Sequence, residues 1–235
     1  MSNKFGVLVF PGTWSEGDWL YALSEVMGLN AEYVFHKQTN LHEFDCLVIP
    51  GGFSYGDYLR PGAIARFSPV MGSLIKFANA GGPVVGSCNG FQVLCEAGLL
   101  PGALIRNKSL EFRCQSQNLR VVNNNSPFTS ELDIDEVLSL PISHGDGNYF
   151  VDEQTLAQME SNGQIAFQYC NSNGEITDES NPNGSVSNIA GVTNESGNVL
   201  GLMPHPERVV EQILGGTDGL KLLASINNFL SRPEN

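Results

Sequence analysis

Short, largely apolar runs alternate with segments of helical periodicity through the first half of the chain. In the helical segments, apolar residues recur three and four positions apart, as over residues 19–27 and 70–78. The runs between them are typical of strands buried on both faces. They lie at residues 5–10, 31–35, 45–49 and 84–85. This alternation predicts an α/β fold with a doubly wound, mostly parallel sheet.

Residues with positional preferences mark the ends of the predicted helices. Gly28 ends the first helix, and Ser68 followed by Pro69 starts the second as a cap and a first-turn proline. Gly81 and the glycine after it end that second helix. A last helix begins at residues 217–218 and carries apolar residues at helical spacing up to residue 230.

The second half changes character, because its runs alternate apolar and polar residues. Residues 102–122 predict antiparallel strands, and residues 142–147 predict a loop after a short strand. An acidic segment at 131–136 is predicted to be exposed. Residues 171–188 are rich in Asn, Gly, Ser and acidic residues, which predicts a long surface hairpin.

Three further strands complete the pattern, at 165–170, 189–192 and 199–203. Neither an internal repeat nor a linker interrupts the chain. We therefore predict a single domain spanning residues 1–235.

Composition narrows the classes of partner. The formal net charge is −13, from 12 Lys and Arg against 25 Asp and Glu, so binding to nucleic acid or an anionic membrane is not expected. The five cysteines are odd in number and lack metal-ligand spacing, which favours reduced thiols. No apolar run approaches the roughly 20 residues of a membrane span, and the start of the chain lacks a signal-peptide pattern. We expect a cytoplasmic protein.

A cysteine stands at the apex of a strand, a sharp turn and a helix. Gly86 and Gly90 flank Cys88 at the spacing of a nucleophile elbow, where a crowded turn leaves no room for side chains. The start of the following helix favours a thiolate. The alternative interpretation is a glycine-flanked turn around a buried, inert cysteine.

A nucleophilic cysteine needs a base and a group that orients the base. His205 is the better candidate because prolines on both sides restrict its backbone. In extended backbone the side chain of Glu207, two residues on, would point the same way and could orient the His205 ring. His144, in a glycine-bearing loop, is the weaker candidate. His36 and His42 are predicted to lie at the surface.

Attack on a carbonyl builds negative charge on oxygen, which backbone N–H groups can stabilise. The residue after the nucleophile, Asn89, and the strand-ending Gly52 are the predicted donors. Gln92 lies one helical turn beyond Cys88 and is a candidate for substrate binding. The sequence contains no phosphate-binding glycine loop and no metal-ligand cluster, so it offers no visible means of using ATP.

These residues resemble the class I, or triad, glutamine amidotransferases, and within them a branch that serves purine biosynthesis. The marks extend over nearly the whole chain: PGGFSYGDYLR (50–60), GAIARFSP (62–69), HGDG (144–147), NPNG (181–184) and GLMPHPER (201–208). The resemblance implies a flavodoxin-like sheet and hydrolysis of L-glutamine through a thioester on Cys88. It also implies a triad with His205 and Glu207, oxyanion donors at Gly52 and Asn89, and Gln92 along the glutamine pocket.

The same resemblance implies that the chain itself carries no cofactor or metal. Ammonia would pass to a synthetase chain, with or without a small third subunit. The synthetase chain would use ATP and Mg to convert formylglycinamide ribonucleotide to the amidine.

Two departures from the family pattern stand out. Residues 11–18 read PGTWSEGD, where the family usually has a sequence like PGSNCDRD, and Asp146 stands where the family often has Glu. Two other functions stay open at this stage. One is an independent cysteine hydrolase or peptidase on the same fold, and the other is a catalytically silent partner module.

Overall fold

The computed structural model describes residues 3–232. In this range eleven strands form a nine-stranded sheet and a separate two-stranded sheet. The strands are β1 (Lys4–Val9), β2 (Asn30–Phe35), β3 (Cys46–Ile49), β4 (Val84–Ser87), β5 (Ala103–Ile105), β6 (Arg113–Val121), β7 (Val137–His144), β8 (Asn148–Phe150), β9 (Ile165–Cys170), β10 (Ile189–Thr193) and β11 (Val199–Leu202). The order in the large sheet is β2-β1-β3-β4-β11-β10-β9-β6-β7.

The first five strands of this order are parallel. Their connectivity is that of flavodoxin-like sheets, with β11 in the fifth position. Strand β1 shows why both faces are covered: Phe5 and Val7 pack into one core, and Leu8 packs into the other. The predicted α/β fold class is confirmed.

The other half of the sheet is antiparallel, from β11 through β10, β9 and β6 to β7. Of the strands predicted over residues 102–122, β6 belongs to this half. Strand β5 instead pairs with β8 in the small sheet, with Leu104 opposite Tyr149.

Helices cover both faces of the sheet. They are α1 (Glu16–Tyr21), which continues as a π-helical turn (Ala22–Val26), α2 (Pro69–Asn79), α3 (Asn89–Glu96), α4 (Glu153–Ser161) and α5 (Asp218–Leu230). Trp19 and Leu222 pack into the core on one face, and Leu74 and Phe91 pack into the core on the other. None of the helices in the described range is long and apolar enough to cross a membrane.

Helix α4 was not predicted, because only Met159 of its nine residues is buried and the apolar period is weak. A capping signal was present, since the Asp152 carboxylate accepts a hydrogen bond from the Thr155 N–H at 2.9 Å. The predicted start of α2 is correct, although the Ser68 hydroxyl makes no capping bond. That hydroxyl pairs with the Tyr55 hydroxyl at 2.8 Å.

Three expectations for the second half need correction. His144 is the last residue of β7, so the loop begins at Gly145 rather than at residue 142. The acidic segment is exposed or half-buried apart from Leu132, which packs into the core. The segment 171–188 is not a plain surface hairpin, because Asn183 and Ser185 are buried and hydrogen-bonded. The single domain predicted for residues 1–235 stays a prediction.

Candidate active site

Cys88 occupies a strained turn between β4 and α3. Its φ is 51° and its ψ is −108°, an unusual conformation for any residue with a side chain. The Cys88 N–H donates to the Leu202 carbonyl at 2.8 Å, which ties the turn to β11. The side chain is buried, and its thiol lies 3.6 Å from the Ser143 carbonyl. This is the geometry that the elbow motif predicts.

The glycines around Cys88 are required by close approach. A Cβ on Gly90 would lie 1.9 Å from the Ile49 carbonyl oxygen, and a Cβ on Gly86 would lie 2.7 Å from the Gly90 carbonyl carbon. Real Cβ atoms do not come this close to backbone atoms. The absence of side chains therefore lets α3 pack directly on β3 with Cys88 at its tip.

His205 and Glu207 form a buried pair just after β11. The Nδ1 atom of His205 lies 2.6 Å from the Oε1 atom of Glu207, and the two residues are 2% and 1% exposed. Burial alone would lower the pKa of His205, but the charges of Glu207 and Cys88 outweigh it and raise that pKa above its ordinary value. The pair closes across a 3₁₀ turn (Pro206–Arg208) instead of the predicted extended backbone.

Gly51 shows how close the histidine and the cysteine are. A Cβ at this glycine would lie 2.6 Å from His205 Cε1 and 3.2 Å from Cys88 Cβ. With Nδ1 engaged by Glu207, the Nε2 atom of His205 is buried and has no hydrogen-bond partner within residues 3–232. The structure thus brings the three residues predicted as a triad together, and leaves the second ring nitrogen free for the thiol or a substrate.

Gly52, a predicted oxyanion donor, belongs to a fixed peptide group. The Gly51 carbonyl accepts hydrogen bonds from the Trp14 N–H at 3.0 Å and the Ser15 N–H at 3.1 Å. Because the peptide is trans, the Gly52 N–H points away from that segment. The φ of Gly52 is +145°, and a Cβ there would lie 2.5 Å from the Trp14 nitrogen. The divergent segment 11–18 therefore holds this peptide mainly through its backbone, with one further hydrogen bond from the Ser15 hydroxyl to the Gly51 carbonyl at 3.3 Å.

Asn89 and Gln92 are braced by their side chains. Asn89 Oδ1 accepts from the Ser54 N–H at 3.1 Å, and Asn89 Nδ2 donates to Gln92 Oε1 at 2.8 Å. Gln92 Nε2 then donates to the Asp146 carbonyl at 2.8 Å. The Asn89 N–H belongs to the first turn of α3, where backbone donors have no partner within the helix. This chain of bonds joins three separate segments around Cys88, and sequence reasoning missed it.

A cavity of about 190 Å³ opens beside Cys88. It is smaller than the roughly 300–1,000 Å³ of sites for drug-sized ligands, so it suits a small metabolite. The groups that line it include Gly52, Asp57, Cys88, Gln92, Arg106 and His144. Within the described range, no group of three His, Cys, Asp or Glu residues is placed to hold a metal ion.

His144, the second histidine candidate, lies in the cavity wall. It is 3% exposed, and neither ring nitrogen has a hydrogen-bond partner among residues 3–232. Burial, and to a smaller extent the charge of His205, lowers the pKa of His144 to about 4, so its ring is neutral at neutral pH. Of the two predicted surface histidines, His42 is exposed, whereas His36 is half-buried with its Nδ1 atom 3.0 Å from the Tyr55 hydroxyl.

Two buried asparagines hold the wall that contains His144. Asn107 is fully buried, donates to the His144 carbonyl at 3.0 Å and accepts from the Gly147 N–H at 2.9 Å. Asn183, in the segment 171–188, donates to the Gly147 carbonyl at 2.8 Å. In the sequence, the NPNG motif marks the segment that contains Asn183. No motif marks Asn107.

The wall reaches Cys88 from the far edge of the sheet. Strand β7 stands five positions from β4, which on a flat sheet with about 4.8 Å between strands would separate them by about 24 Å. Yet the Ser143 carbonyl lies 3.6 Å from Cys88 Sγ, and the Pro141 carbonyl accepts from the His205 N–H at 2.9 Å. The antiparallel half therefore curls back over the carboxyl ends of the parallel strands and closes the site.

A mixed α/β sheet with a cysteine elbow beside a buried histidine–glutamate pair is the arrangement expected of a glutamine amidotransferase, and the comparisons with known proteins show that class. The chain belongs to the family described as CobB/CobQ-like glutamine amidotransferase domains, whose family model matches residues 2–216.

Comparison with individual proteins points to a particular branch of this family. The chain is 58% identical over 231 residues to the phosphoribosylformylglycinamidine synthase subunit PurQ of Moorella thermoacetica, covering 98% of each chain. It is 53% identical over 231 residues to the protein of the same name from Salinibacter ruber, again covering 98% of each. Among solved structures, a structure of PurLQS from Thermotoga maritima superposes with a TM-score of 0.87 at 41% identity, covering 98% of this chain and 100% of that chain.

Proposed function

We propose that this chain is the glutaminase subunit of a phosphoribosylformylglycinamidine synthase. It would hydrolyse L-glutamine to glutamate and ammonia, for use by a synthetase chain in purine biosynthesis. The observation that carries the chemistry is the meeting of Cys88 and the His205–Glu207 pair against Gly51. The names of the two relatives support the particular synthase.

The geometry supports the following course for the first half of the reaction. The Cys88 thiolate attacks the side-chain carbonyl carbon of glutamine, and the carbonyl electron pair moves to oxygen. The N–H groups of Gly52 and Asn89 stabilise that oxyanion. The imidazolium of His205, favoured by Glu207, gives its proton to the leaving nitrogen. Ammonia leaves, and a thioester joins the glutamyl group to Cys88.

In the second half, water hydrolyses the thioester. His205, now neutral, takes a proton from the attacking water, and the carbon–sulfur bond breaks after a second tetrahedral intermediate at the same oxyanion donors. The side-chain carboxylic acid formed gives its proton to solvent, glutamate leaves, and the thiolate returns beside the imidazolium. Glu207 holds the ring through Nδ1 in both halves, so Nε2 carries each proton.

A partner chain is supported by the relatives' printed name, which calls each of them a subunit. The mouth of the cavity carries exposed apolar side chains at Phe53, Leu110 and Phe112, which are suited to burial against another protein. The proposed partner is the synthetase that uses ATP and Mg to convert formylglycinamide ribonucleotide to the amidine. A small third subunit, a cytoplasmic location and the lack of nucleic-acid or membrane binding stay predictions.

The alternative of an independent cysteine hydrolase is less well supported. A hydrolase acting alone gains nothing from the apolar rim, and both relatives are named as subunits. The alternative of a silent module does not explain a strained cysteine beside a buried histidine–glutamate pair.

Replacing the nucleophile tests the proposal. We expect Cys88→Ala to abolish ammonia release from glutamine, because no thioester can form, while added ammonia still supports amidine formation by the assembled synthase. The matched control is Cys114→Ala, which removes an exposed thiol on β6 and is expected to leave both activities unchanged. Normal glutamine turnover by Cys88→Ala would overturn the proposed mechanism.

A further inference from the structure

Two acidic residues line the same cavity. Asp57 and Asp146 both line it, and the charge of Asp146, after partial burial, is the second cause that raises the pKa of Asp57 to about 6. The Asp57 carboxylate accepts one long hydrogen bond, from Asn89 Nδ2 to its Oδ1 atom at 3.3 Å. Like charges held together without a cation destabilise each other. Within residues 3–232 neither carboxylate forms an ion pair, although a cationic side chain lines the same cavity.

The backbone holds Asp57 in this position at a conformational cost. Tyr55, Asp57 and Leu59 have φ angles of 55°, 53° and 75°, all in the left-handed region. The Tyr55 N–H donates to the Pro11 carbonyl at 2.6 Å, and the Ser54 N–H to Asn89 Oδ1 at 3.1 Å, which anchors the segment against the site.

A cation stands in the same cavity lining. Arg106 is exposed, and its side chain has neither an ion pair nor a hydrogen bond with any residue in the described range. Opposite charges therefore line one small cavity. His144 is 3% exposed and lines the same cavity, and its two unpartnered ring nitrogens are polar atoms that the protein itself does not satisfy. Of these groups, Arg106 is exposed and Asp57 is half-buried, so both can be reached by a ligand in the cavity.

We propose that Asp57 and Arg106 bind the backbone end of the substrate: the Asp57 carboxylate takes the α-ammonium group, and the Arg106 guanidinium takes the α-carboxylate. The inference rests on the proposed function and specifies how that site selects an amino acid. An amino acid is a zwitterion, and a cavity with a carboxylate and a guanidinium complements both of its charges. The bound ammonium also supplies the cation that the acidic pair lacks.

Two substrate analogues separate the two contacts. 5-Amino-5-oxopentanoate is glutamine without the α-amino group, and 4-aminobutanamide is glutamine without the α-carboxylate. Both keep the amide that Cys88 attacks. Ammonia release from each would be measured on the full chain assembled with its synthetase, as kcat and KM.

We expect Asp57→Asn to lower kcat/KM for glutamine by about 10- to 100-fold, mainly through a higher KM, because a charge-assisted contact is lost. The same variant is expected to act on 5-amino-5-oxopentanoate within about threefold of the wild type, since that analogue has no ammonium to lose. Asparagine tolerates the left-handed backbone and keeps an oxygen for Asn89, so the segment stays folded.

Arg106→Gln is expected to show the converse pattern, with a loss on glutamine and little change on 4-aminobutanamide. Asp133→Asn, an identical change on an exposed residue in the β6–β7 connection at the other end of the sheet, is the control and should match the wild type.

Equal losses on glutamine and on 5-amino-5-oxopentanoate would assign Asp57 a purely structural role and overturn the inference. Unchanged KM for glutamine in both variants would overturn it as well. In either case the wild type still hydrolyses glutamine and the proposed function stands. A wild-type complex that releases no ammonia from glutamine would instead overturn the proposed function.

Discussion

Asp57 illustrates, at the scale of one residue, how a functional position can oppose stability. Its carboxyl group is partly buried beside Asp146, and both effects favour the protonated form. Asn89 donates to it, and Arg106 and His144 line the same cavity. The folded protein therefore holds an ionised group in a place where ionisation is unfavourable, and such conflicts concentrate at binding sites.

The sign of the pH dependence follows from that conflict. The pKa of Asp57 is raised from 3.8 to about 6 on folding, so the folded state binds its proton at higher pH than the unfolded state does. Above about pH 6 the carboxylate is ionised in both states, and the folded protein is destabilised by the full cost of an ionised Asp57 that is partly buried beside Asp146. Below the pKa of 3.8 in the unfolded state, Asp57 is protonated in both states and this destabilisation disappears.

We therefore expect Asp57→Asn to melt at a higher temperature than the wild type at pH 8. The difference should shrink as the pH falls below about 6. Calorimetric melting curves at pH 8 and pH 4.5, with Asp133→Asn as the control, measure the effect. A variant less stable than the wild type at pH 8 would contradict the electrostatic account.

At the scale of elements, one helix has room for a side chain at its glycine and another has none. Gly72 lies on the exposed face of α2, and a Cβ there would meet no atom within 4 Å. Gly90 lies in the first turn of α3, where a Cβ would lie 1.9 Å from the Ile49 carbonyl oxygen. Helix α2 keeps a glycine without a packing reason, whereas α3 depends on one to reach the site.

The same substitution should consequently have opposite effects in the two helices. We expect Gly72→Ala to stabilise the protein by about 0.5–1 kcal/mol, because alanine loses less backbone entropy in a helix. Gly90→Ala is expected to destabilise it by about 1–3 kcal/mol through overpacking. It should also reduce glutaminase activity, because α3 must move away from β3 and carry Cys88 with it.

Urea unfolding of the two variants, read as free energies of unfolding, compares them directly. A neutral Gly90→Ala, with both stability and activity retained, would show that α3 can shift without disturbing the elbow.

At the scale of the whole molecule, the oxyanion donor at Gly52 is connected to the surface. Two backbone hydrogen bonds from Trp14 and Ser15 hold the Gly51 carbonyl, and the side chains of Trp14 and Phe53 are 74% and 49% exposed. The Gly52 peptide cannot turn without breaking those bonds, although glycine itself would allow the rotation. A partner that contacts this surface would therefore act on the donor through the segment 11–18.

We expect weak glutamine hydrolysis by the isolated chain and a large increase when the synthetase and its nucleotide substrate are added. Loss of one oxyanion donor costs about 10²–10³ in rate, which is sufficient for such control. Ammonia released to solvent would also be protonated and lost as a nucleophile, so uncoupled hydrolysis wastes glutamine. Steady-state ammonia release with and without the partner checks this. An isolated chain that already runs at the rate of the complex would favour an independent hydrolase.

Much of the site could be predicted because its signals are local in the sequence. The glycine spacing around Cys88, the apolar runs of the parallel half and the proximity of His205 to Glu207 each depend on residues within a few positions of one another. Side-chain period and steric crowding act at that range, so they are visible without a fold. The predicted triad residues and their supporting strands accordingly meet where expected.

Tertiary structure alone decided the rest. The curl that brings the end of β7 to Cys88 is a property of the whole sheet, and it sets the positions of Ser143 and His144. Asp57 and Arg106 are 49 positions apart in the chain, and nothing in either segment indicates that they line one cavity. Contacts of this kind arise from packing between distant segments, and no local pattern in the sequence encodes them.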